Sequence, residues 1–322
     1  MKLKIWGSRG SIPAPGPDTM RYGGNTSCVE LTLSDGSKLI LDAGTGIRDL
    51  GMAIPETDQP IHILLTHLHM DHIQGLMFFE PLFRPRAEIY IWGPASPEAS
   101  LRDRIARYIS APLAPVEVRE LPSLVTFREA GGLEWQVGPA RIRAQAVTHR
   151  GPTLGYRIED AGTTIAYIPD HEPGLGAPLD STADEWISGF DLAHGASLLI
   201  HDCQYTDEEY QSRLGWGHCP MGDALLFAQR TDVDRVLMFH HDPLHSDRFL
   251  DGMAHEVLAR WHHMGGRARR VEMAAERREL EVLPNRATAA AGEPAPESPA
   301  PAGAGGTPPY HPVVVGSATP RR

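Results

Sequence analysis

The chain has 322 residues, of which 41% are hydrophobic and 22% charged, and its formal net charge is −11. This composition is typical of a globular protein with an ample core, and the acidic balance argues against nonspecific binding of nucleic acid. No apolar run has the length of a membrane span or a signal peptide, and the three cysteines lack C-x-x-C spacing. We therefore expect a cytoplasmic protein with reduced thiols.

Short apolar runs predict a series of strands in each half of the chain, with helices between and after them. The first half has predicted strands at 2–6, 28–33, 38–41 and 61–65, and helices at about 73–83 and 96–109. The second half has predicted strands at 141–147, 155–158, 163–168, 197–200 and 235–239, and helices near 206–214, 221–231 and 246–264. This order predicts an α+β fold, a four-layer αββα sandwich in which two mixed sheets pack face to face with helices outside.

The composition changes at the C-terminal end of the chain. Residues 285–322 are rich in Ala, Pro and Gly and contain no Leu, Ile, Phe, Met or Trp. Such a segment cannot bury enough apolar surface to offset the entropy that ordering would cost. We therefore predict one folded domain over residues 1–284, followed by a disordered tail over residues 285–322.

The segment from Thr66 to His72 contains three histidines and one aspartate, directly after an apolar run that predicts a buried strand. Zinc and similar metals take nitrogen from His and oxygen from Asp. Four such ligands are too many for one tetrahedral ion with an open position. The spacing favours two adjacent ions, with His67 and His69 on one and Asp71 and His72 on the other.

Three further candidate ligands follow predicted strands in the second half of the chain. They are His149, Asp170 and His240. A carboxylate can bridge two ions, so we assign His149 to the first metal, His240 to the second, and Asp170 to both. Neighbours on a straight strand point in opposite directions, so His240 and His241 cannot both be ligands, and we favour His240.

A few other residues are expected near the metal site only because they are close in sequence to these motifs. Asp42 follows a strand and opens a Gly-rich segment, and we interpret it as the capping residue of a tight turn in preference to a residue that supports a metal ligand. Residues 7–24 form a Gly- and Pro-rich loop near the expected mouth of the site. Arg9, Tyr22, Asn25 and Trp216 are expected at that mouth.

With these motifs the chain, over about residues 1–283, resembles the metallo-β-lactamase fold family of metal-dependent hydrolases. The resemblance implies a metallo-β-lactamase-like fold and a centre of two divalent metal ions, with Zn²⁺ expected first and Mn²⁺ or Fe²⁺ as alternatives. Asp71 is then both a metal ligand and a catalytic residue.

The resemblance extends to the phosphodiesterase branch that includes ribonuclease Z. A buried strand ends in His201-Asp202, and the segment Gly217-His218-Cys219-Pro220 opens a helix. In that branch the corresponding histidine protonates the leaving oxygen and an acidic residue orients it, which implies these roles for His218 and Asp202. The branch usually has Glu at the position of Asp202 and a hydroxyl residue at that of Cys219, so the match is partial.

The sequence thus predicts a hydrolase in which a hydroxide bridging the two metals attacks a small phosphodiester, such as a cyclic nucleotide. One alternative is a ribonuclease Z-like nuclease that processes tRNA 3′ ends. Between His72 and His149 there are basic residues but no Gly- and Lys-rich arm to bind tRNA (Arg84, Arg86, Arg102, Arg104 and Arg107). A lactone or thioester hydrolase and a mononuclear iron dioxygenase remain open, as does the oligomeric state, a homodimer included.

Overall fold

Two seven-stranded sheets form the centre of the protein, in a computed structural model that describes residues 1–56, 59–265 and 270–285. The strands of the first sheet, in spatial order, are β14 (Glu279–Glu281), β1 (Lys2–Gly7), β2 (Cys28–Thr32), β3 (Lys38–Leu41), β4 (Ile61–Leu64), β5 (Glu88–Gly93) and β6 (Leu124–Glu129). From β14 to β3 the neighbouring strands are antiparallel, and from β3 to β6 they are parallel.

The second sheet has the same division into a parallel and an antiparallel part. Its strands, in spatial order, are β13 (Arg270–Met273), β12 (Arg235–Phe239), β11 (Leu198–Asp202), β10 (Thr163–Ile168), β9 (Leu154–Asp160), β8 (Ala140–Ala146) and β7 (Glu134–Val137). From β13 to β10 the pairing is parallel, and from β10 to β7 it is antiparallel. Both sheets are therefore mixed, as the sequence predicts.

Helices cover the outer face of each sheet. They are α1 (Ile47–Ala53), α2 (Met70–Ile73), α3 (Leu101–Tyr108), α4 (Phe190–Ala193), α5 (Asp207–Tyr210), α6 (Met221–Arg230) and α7 (Asp247–His263). Alternate residues of β10 separate the layers: Ile165 and Tyr167 pack between the sheets, whereas Ala166 and Ile168 pack against the helices. The predicted four-layer αββα sandwich is confirmed.

Several elements differ from those predicted. The helix expected at 73–83 is replaced by α2 and two 3₁₀ turns, because Gly75 donates its backbone N–H to Ala43 O outside any helix and Pro81 begins a new turn. The sequence analysis did not predict β5, β6, β7, β13 or β14. Strand β5 alternates buried and half-buried residues over EIYIWG, which is the period of a strand covered on one face.

Beyond Asn285, the predicted tail lies outside the described residues. Asn285 itself donates a hydrogen bond from Nδ2 to Gly195 O at 2.6 Å, which holds it against the loop between α4 and β11. Within the described part of the chain, no helix combines the length and the apolar character that crossing a bilayer requires.

Candidate metal centre

The seven predicted metal ligands lie together at one edge of the sandwich. The loop after β4 supplies His67 and His69, and α2, which follows at once, supplies Asp71 and His72. The other three come from the loops after β8, β10 and β12 (His149, Asp170 and His240). Parallel strands end at the same edge of a sheet, so the order of strands brings together residues that are far apart in the chain.

The first cluster consists of three imidazoles, His67, His69 and His149, whose nitrogens lie within 4.8 Å of one another. His149 Nε2 is 3.2 Å from His69 Nδ1. Asp170 Oδ2 lies 3.7 Å from both His67 Nε2 and His149 Nε2. Three nitrogens and a nearby carboxylate oxygen are a donor set that suits zinc.

The second cluster consists of Asp71, His72, Asp170 and His240. His72 Nε2 is 3.0 Å from Asp170 Oδ1, and His240 Nε2 is 3.1 Å from Asp71 Oδ2. The two imidazole Nε2 atoms are 3.3 Å apart. Asp170 therefore presents Oδ2 to the first cluster and Oδ1 to the second, which is the arrangement of a bridging carboxylate.

Two buried atoms in these clusters have no hydrogen-bond partner. They are His67 Nε2 and Asp170 Oδ1, and the 3.0 Å contact of Asp170 Oδ1 with His72 Nε2 lacks hydrogen-bond geometry. Buried polar atoms in folded proteins are nearly always satisfied, and a cation between the clusters would satisfy both of these. The donor types and the unpaired atoms together fit a pair of divalent metal ions.

Hydrogen bonds on the far side of three of the imidazoles hold these rings in place. Nδ1 atoms donate to oxygens at 2.6–2.9 Å in three cases: His72 to Asp42 Oδ2, His149 to Gly217 O, and His240 to Gln204 Oε1. In a neutral imidazole, a proton fixed on Nδ1 leaves the lone pair of Nε2 free and directed into the cluster. Such partners orient metal-binding histidines and increase their basicity.

The role of Asp42 differs from the prediction that it caps a turn. Its carboxylate is fully buried and accepts hydrogen bonds from Thr66 N at 2.7 Å, from His72 Nδ1 at 2.8 Å and from Tyr167 Oη at 2.9 Å. The prediction was wrong because it considered only the adjacent glycines, whereas these partners are 24, 30 and 125 residues away.

The Gly-rich loop between β1 and β2 forms part of the centre. Ser11 N donates to Asp71 Oδ2 at 2.7 Å. A Cβ atom on Gly10 would lie 2.3 Å from His240 Nδ1, so only glycine allows the loop to approach that ring. His241 turns away and lies within hydrogen-bond distance of Ala274 O, at 2.8 Å from its Nε2, so His240 is the neighbour that enters the cluster.

His218 and Asp202 form a hydrogen-bonded pair beside the clusters. His218 Nδ1 lies 2.8 Å from Asp202 Oδ2, and the His218 ring lies 5.0 Å from that of His240. Burial lowers the pKa of His218, but the charge and hydrogen bond of Asp202 more than offset this and raise the pKa to about 8. The pair can therefore hold a proton on His218 at neutral pH.

Most of the charge states in the clusters suit cation binding. His72 is the exception, because Asp170, Asp71 and Asp42 raise its pKa well above the usual value in spite of burial, so a metal would have to displace its proton. Burial lowers the pKa of His67 and His149, which keeps both imidazoles neutral. Burial alone would raise the pKa of Asp170, but His240 and His72 hold it well below its usual range, so the carboxylate is ionised. Neutral nitrogens and ionised oxygens are the forms that bind a metal.

Two residues have roles that the sequence analysis did not anticipate. Arg9, expected at the mouth, is fully buried and donates to three backbone carbonyl groups, so it is structural. Glu172 is fully buried and accepts hydrogen bonds from Gly215 N and Gly217 N at 2.8 Å each. An acidic residue beside the candidate ligand Asp170 was the signal that could have indicated Glu172.

We predict that Asp42→Asn lowers metal affinity at the second cluster by about 10- to 100-fold, because His72 loses its charged partner. Elemental analysis after dialysis against a chelator should then find fewer metal ions per chain than in the wild type. Asp49→Asn, a change at a partly exposed residue of α1 that pairs with Arg48, is the control. Equal metal content in all three proteins would contradict this role.

Comparisons with known proteins agree with this architecture. The family described as Beta-lactamase superfamily domain matches residues 38–241. The ribonuclease Z of Natronomonas pharaonis is 24% identical over 281 residues, which cover 74% of this chain and 86% of that protein.

Two solved structures share the fold. Human tRNase Z, short form, has a TM-score of 0.60 at 20% identity, and the match covers 88% of this chain and 100% of that one. A diphosphatase from the PhnP family has a TM-score of 0.61 at 17% identity, over 88% of this chain and 98% of that one. The resemblance inferred from the sequence is confirmed, because the family match spans more than half of the chain. The chain belongs to the beta-lactamase superfamily and is a metal-dependent hydrolase with the metallo-β-lactamase fold.

Proposed function

We propose that the protein is a phosphodiesterase with two divalent metal ions, acting on a small phosphodiester. The observation that carries this proposal is the His218–Asp202 pair, 2.8 Å apart, beside the two candidate clusters. A phosphodiester leaves an alkoxide when it is cleaved, and a protonated histidine next to the metal centre can supply the proton that this oxygen needs.

In this proposal, the seven candidate ligands hold the metal ions and His218 supplies the proton. His67, His69 and His149 would hold one ion, Asp71, His72 and His240 the other, and Asp170 both. When bound, two such ions lower the pKa of water and neutralise charge on the phosphoryl oxygens. The nitrogen and oxygen donors favour Zn²⁺, with Mn²⁺ or Fe²⁺ as alternatives. His218 holds a proton on Nε2 for the leaving oxygen while its Nδ1 donates to Asp202.

The distribution of charge supports a small phosphodiester, cyclic or linear, over a long nucleic acid. The chain has a net charge of −11, which opposes the approach of a long polyanion. Of the arginines between His72 and His149, Arg84 pairs with Glu80, and Arg104 lies 3.6 Å from Glu129. These two guanidinium groups are already engaged with carboxylates of the same chain.

A ribonuclease Z-like activity is the second candidate, and the relative of that name from Natronomonas pharaonis is the observation that favours it. The two candidates differ in the substrate that they cleave best. We expect small phosphodiesters to be hydrolysed and a precursor tRNA to be left intact. A higher kcat/KM for cleavage of the precursor at its 3′ end would establish the second candidate instead.

The first experiment is hydrolysis of bis-p-nitrophenyl phosphate by full-length protein whose metal content has been counted. We expect activity with about two ions per chain and its loss in His67→Ala, which removes a ligand of the first cluster. His255→Ala, an exposed change on α7, is the control. A single iron per chain would favour dioxygenase chemistry, and two ions without activity would favour a lactone or thioester substrate.

We predict that His218→Ala reduces kcat for an alkyl phosphodiester by about 10²- to 10⁴-fold, because the alkoxide then leaves without its proton. The loss should be smaller for bis-p-nitrophenyl phosphate, since p-nitrophenolate is a stable anion. Metal content should equal that of the wild type. Loss of metal from this variant would contradict the assignment of His218 as the general acid.

We predict that Asp202→Asn shifts the alkaline limb of the pH profile of kcat to lower pH. In the wild type the pKa of His218 is raised to about 8, so the protonated acid is lost as pH rises through that value. The amide carries no charge, so the pKa of His218 falls in the variant. The profile is measured with an alkyl phosphodiester, beside Asp191→Asn as an exposed control, and an unmoved limb would refute the coupling.

A further inference from the structure

A pocket of about 660 Å³ opens beside His218. It lies within the range of volumes of small-molecule sites. Its wall includes two arginines, two aromatic residues and one carboxylate (Arg150, Arg213, Tyr205, Trp216 and Asp242). Because His218 is placed to protonate the departing oxygen, this pocket faces the part of the substrate that leaves.

The two arginines have donors to spare. Arg150 Nε donates to Gly215 O at 3.0 Å, and one terminal nitrogen of Arg213 donates to Glu209 O at 3.0 Å. Among the described residues neither forms an ion pair with a carboxylate. A guanidinium has five N–H donors, so each arginine is anchored by one backbone contact and keeps donors for an anion. Asp242, the carboxylate on the wall, accepts from Leu244 N at 2.8 Å.

An aromatic surface lies on the same wall. Trp216 is 54% exposed although its loop is anchored at both of its flanking residues. Glu172 accepts from Gly215 N and Gly217 N on either side of it. The guanidinium of Arg213 lies over the ring of Tyr205, at 4.9 Å from its centroid, so that face is already covered. The backbone on either side of Trp216 is thus anchored, and its exposed indole offers a surface on which a flat ring can stack.

We propose that this pocket binds a nucleoside monophosphate as the leaving group, with its base on Trp216 and its phosphate on Arg150 and Arg213. The proposal rests on the phosphodiesterase function and narrows its substrate to a linear diester that carries a second phosphate. A cyclic nucleotide has one phosphate, which the metal centre would bind, so it would leave the two arginines without a partner.

The experiment is a calorimetric titration of the metal-loaded, full-length protein with AMP, adenosine and inorganic phosphate. We expect AMP to bind at least about tenfold more tightly than either fragment, because charge-assisted bonds to arginine and base stacking both contribute. If AMP binds no more tightly than inorganic phosphate, its phosphate is held by the metal centre alone and the proposal is wrong.

Four variants in the pocket and one control identify the residues that contact AMP. Arg213→Ala and Arg150→Ala should each weaken AMP several-fold more than adenosine, and Trp216→Ala should weaken both ligands. Arg213→Lys keeps the charge and tests the contact if the alanine variant is unstable. Arg102→Ala, an exposed change on α3, should bind AMP as the wild type does. Wild-type affinity for AMP in both pocket arginine variants would overturn the proposal.

The binding and turnover measurements distinguish failure of the pocket proposal from failure of the proposed function. If AMP binds as expected but no phosphodiester is hydrolysed, the proposed function is wrong and the nucleotide pocket stands. If bis-p-nitrophenyl phosphate is hydrolysed but AMP shows no preference over its fragments, the pocket proposal is wrong and the function stands.

Discussion

The contact of the Asp170 carboxylate with the surrounding imidazoles is the interaction on which the centre depends. A buried carboxylate is costly unless opposite charge or hydrogen bonds compensate for it. Asp170 follows β10 in the second sheet, whereas His67 and His72 follow β4 in the first, so this contact joins the two sheets. Because one oxygen faces each cluster, neither candidate metal site is complete until the sheets have packed face to face.

The packing beneath the centre makes that arrangement rigid. Tyr156, from β9 of the second sheet, donates from Oη to Leu65 O at 2.6 Å, one residue beyond β4 of the first. Tyr167, from β10, donates to Asp42 beside β3. Both side chains are fully buried in the apolar layer between the sheets. The hydroxyl groups therefore link the sheets directly below the ligands, and movement of one sheet would break buried hydrogen bonds that cost free energy to lose.

The parts of the centre that the sequence predicted are those with a local signal. One segment contains the candidate ligands from His67 to His72, and Asp170 and His240 each follow an apolar run typical of a strand. Residue type and periodicity were therefore enough to select these residues as candidates. The roles of Asp42 and Glu172 depend on partners that only the fold brings close. The position of Glu172 two residues after Asp170 could have placed it near the site, but not shown which groups it binds. The sequence analysis also missed strands that are short or alternate weakly, such as β6 and β14. These segments become strands because they pair with neighbouring strands, and their own residues show little preference for that conformation.

One short loop connects the metal centre, the acid and the pocket. Gly217 O accepts from His149 Nδ1, the next residue is His218, and the preceding residue is Trp216. Glu172, which follows the candidate ligand Asp170 by two residues, accepts hydrogen bonds from the backbone of the same loop. A displacement of this loop would therefore move a candidate ligand, the proposed proton donor and the proposed stacking surface together. The exposed Trp216 of the pocket and the candidate ligands His149 and Asp170 are therefore connected through the hydrogen bonds of a single loop.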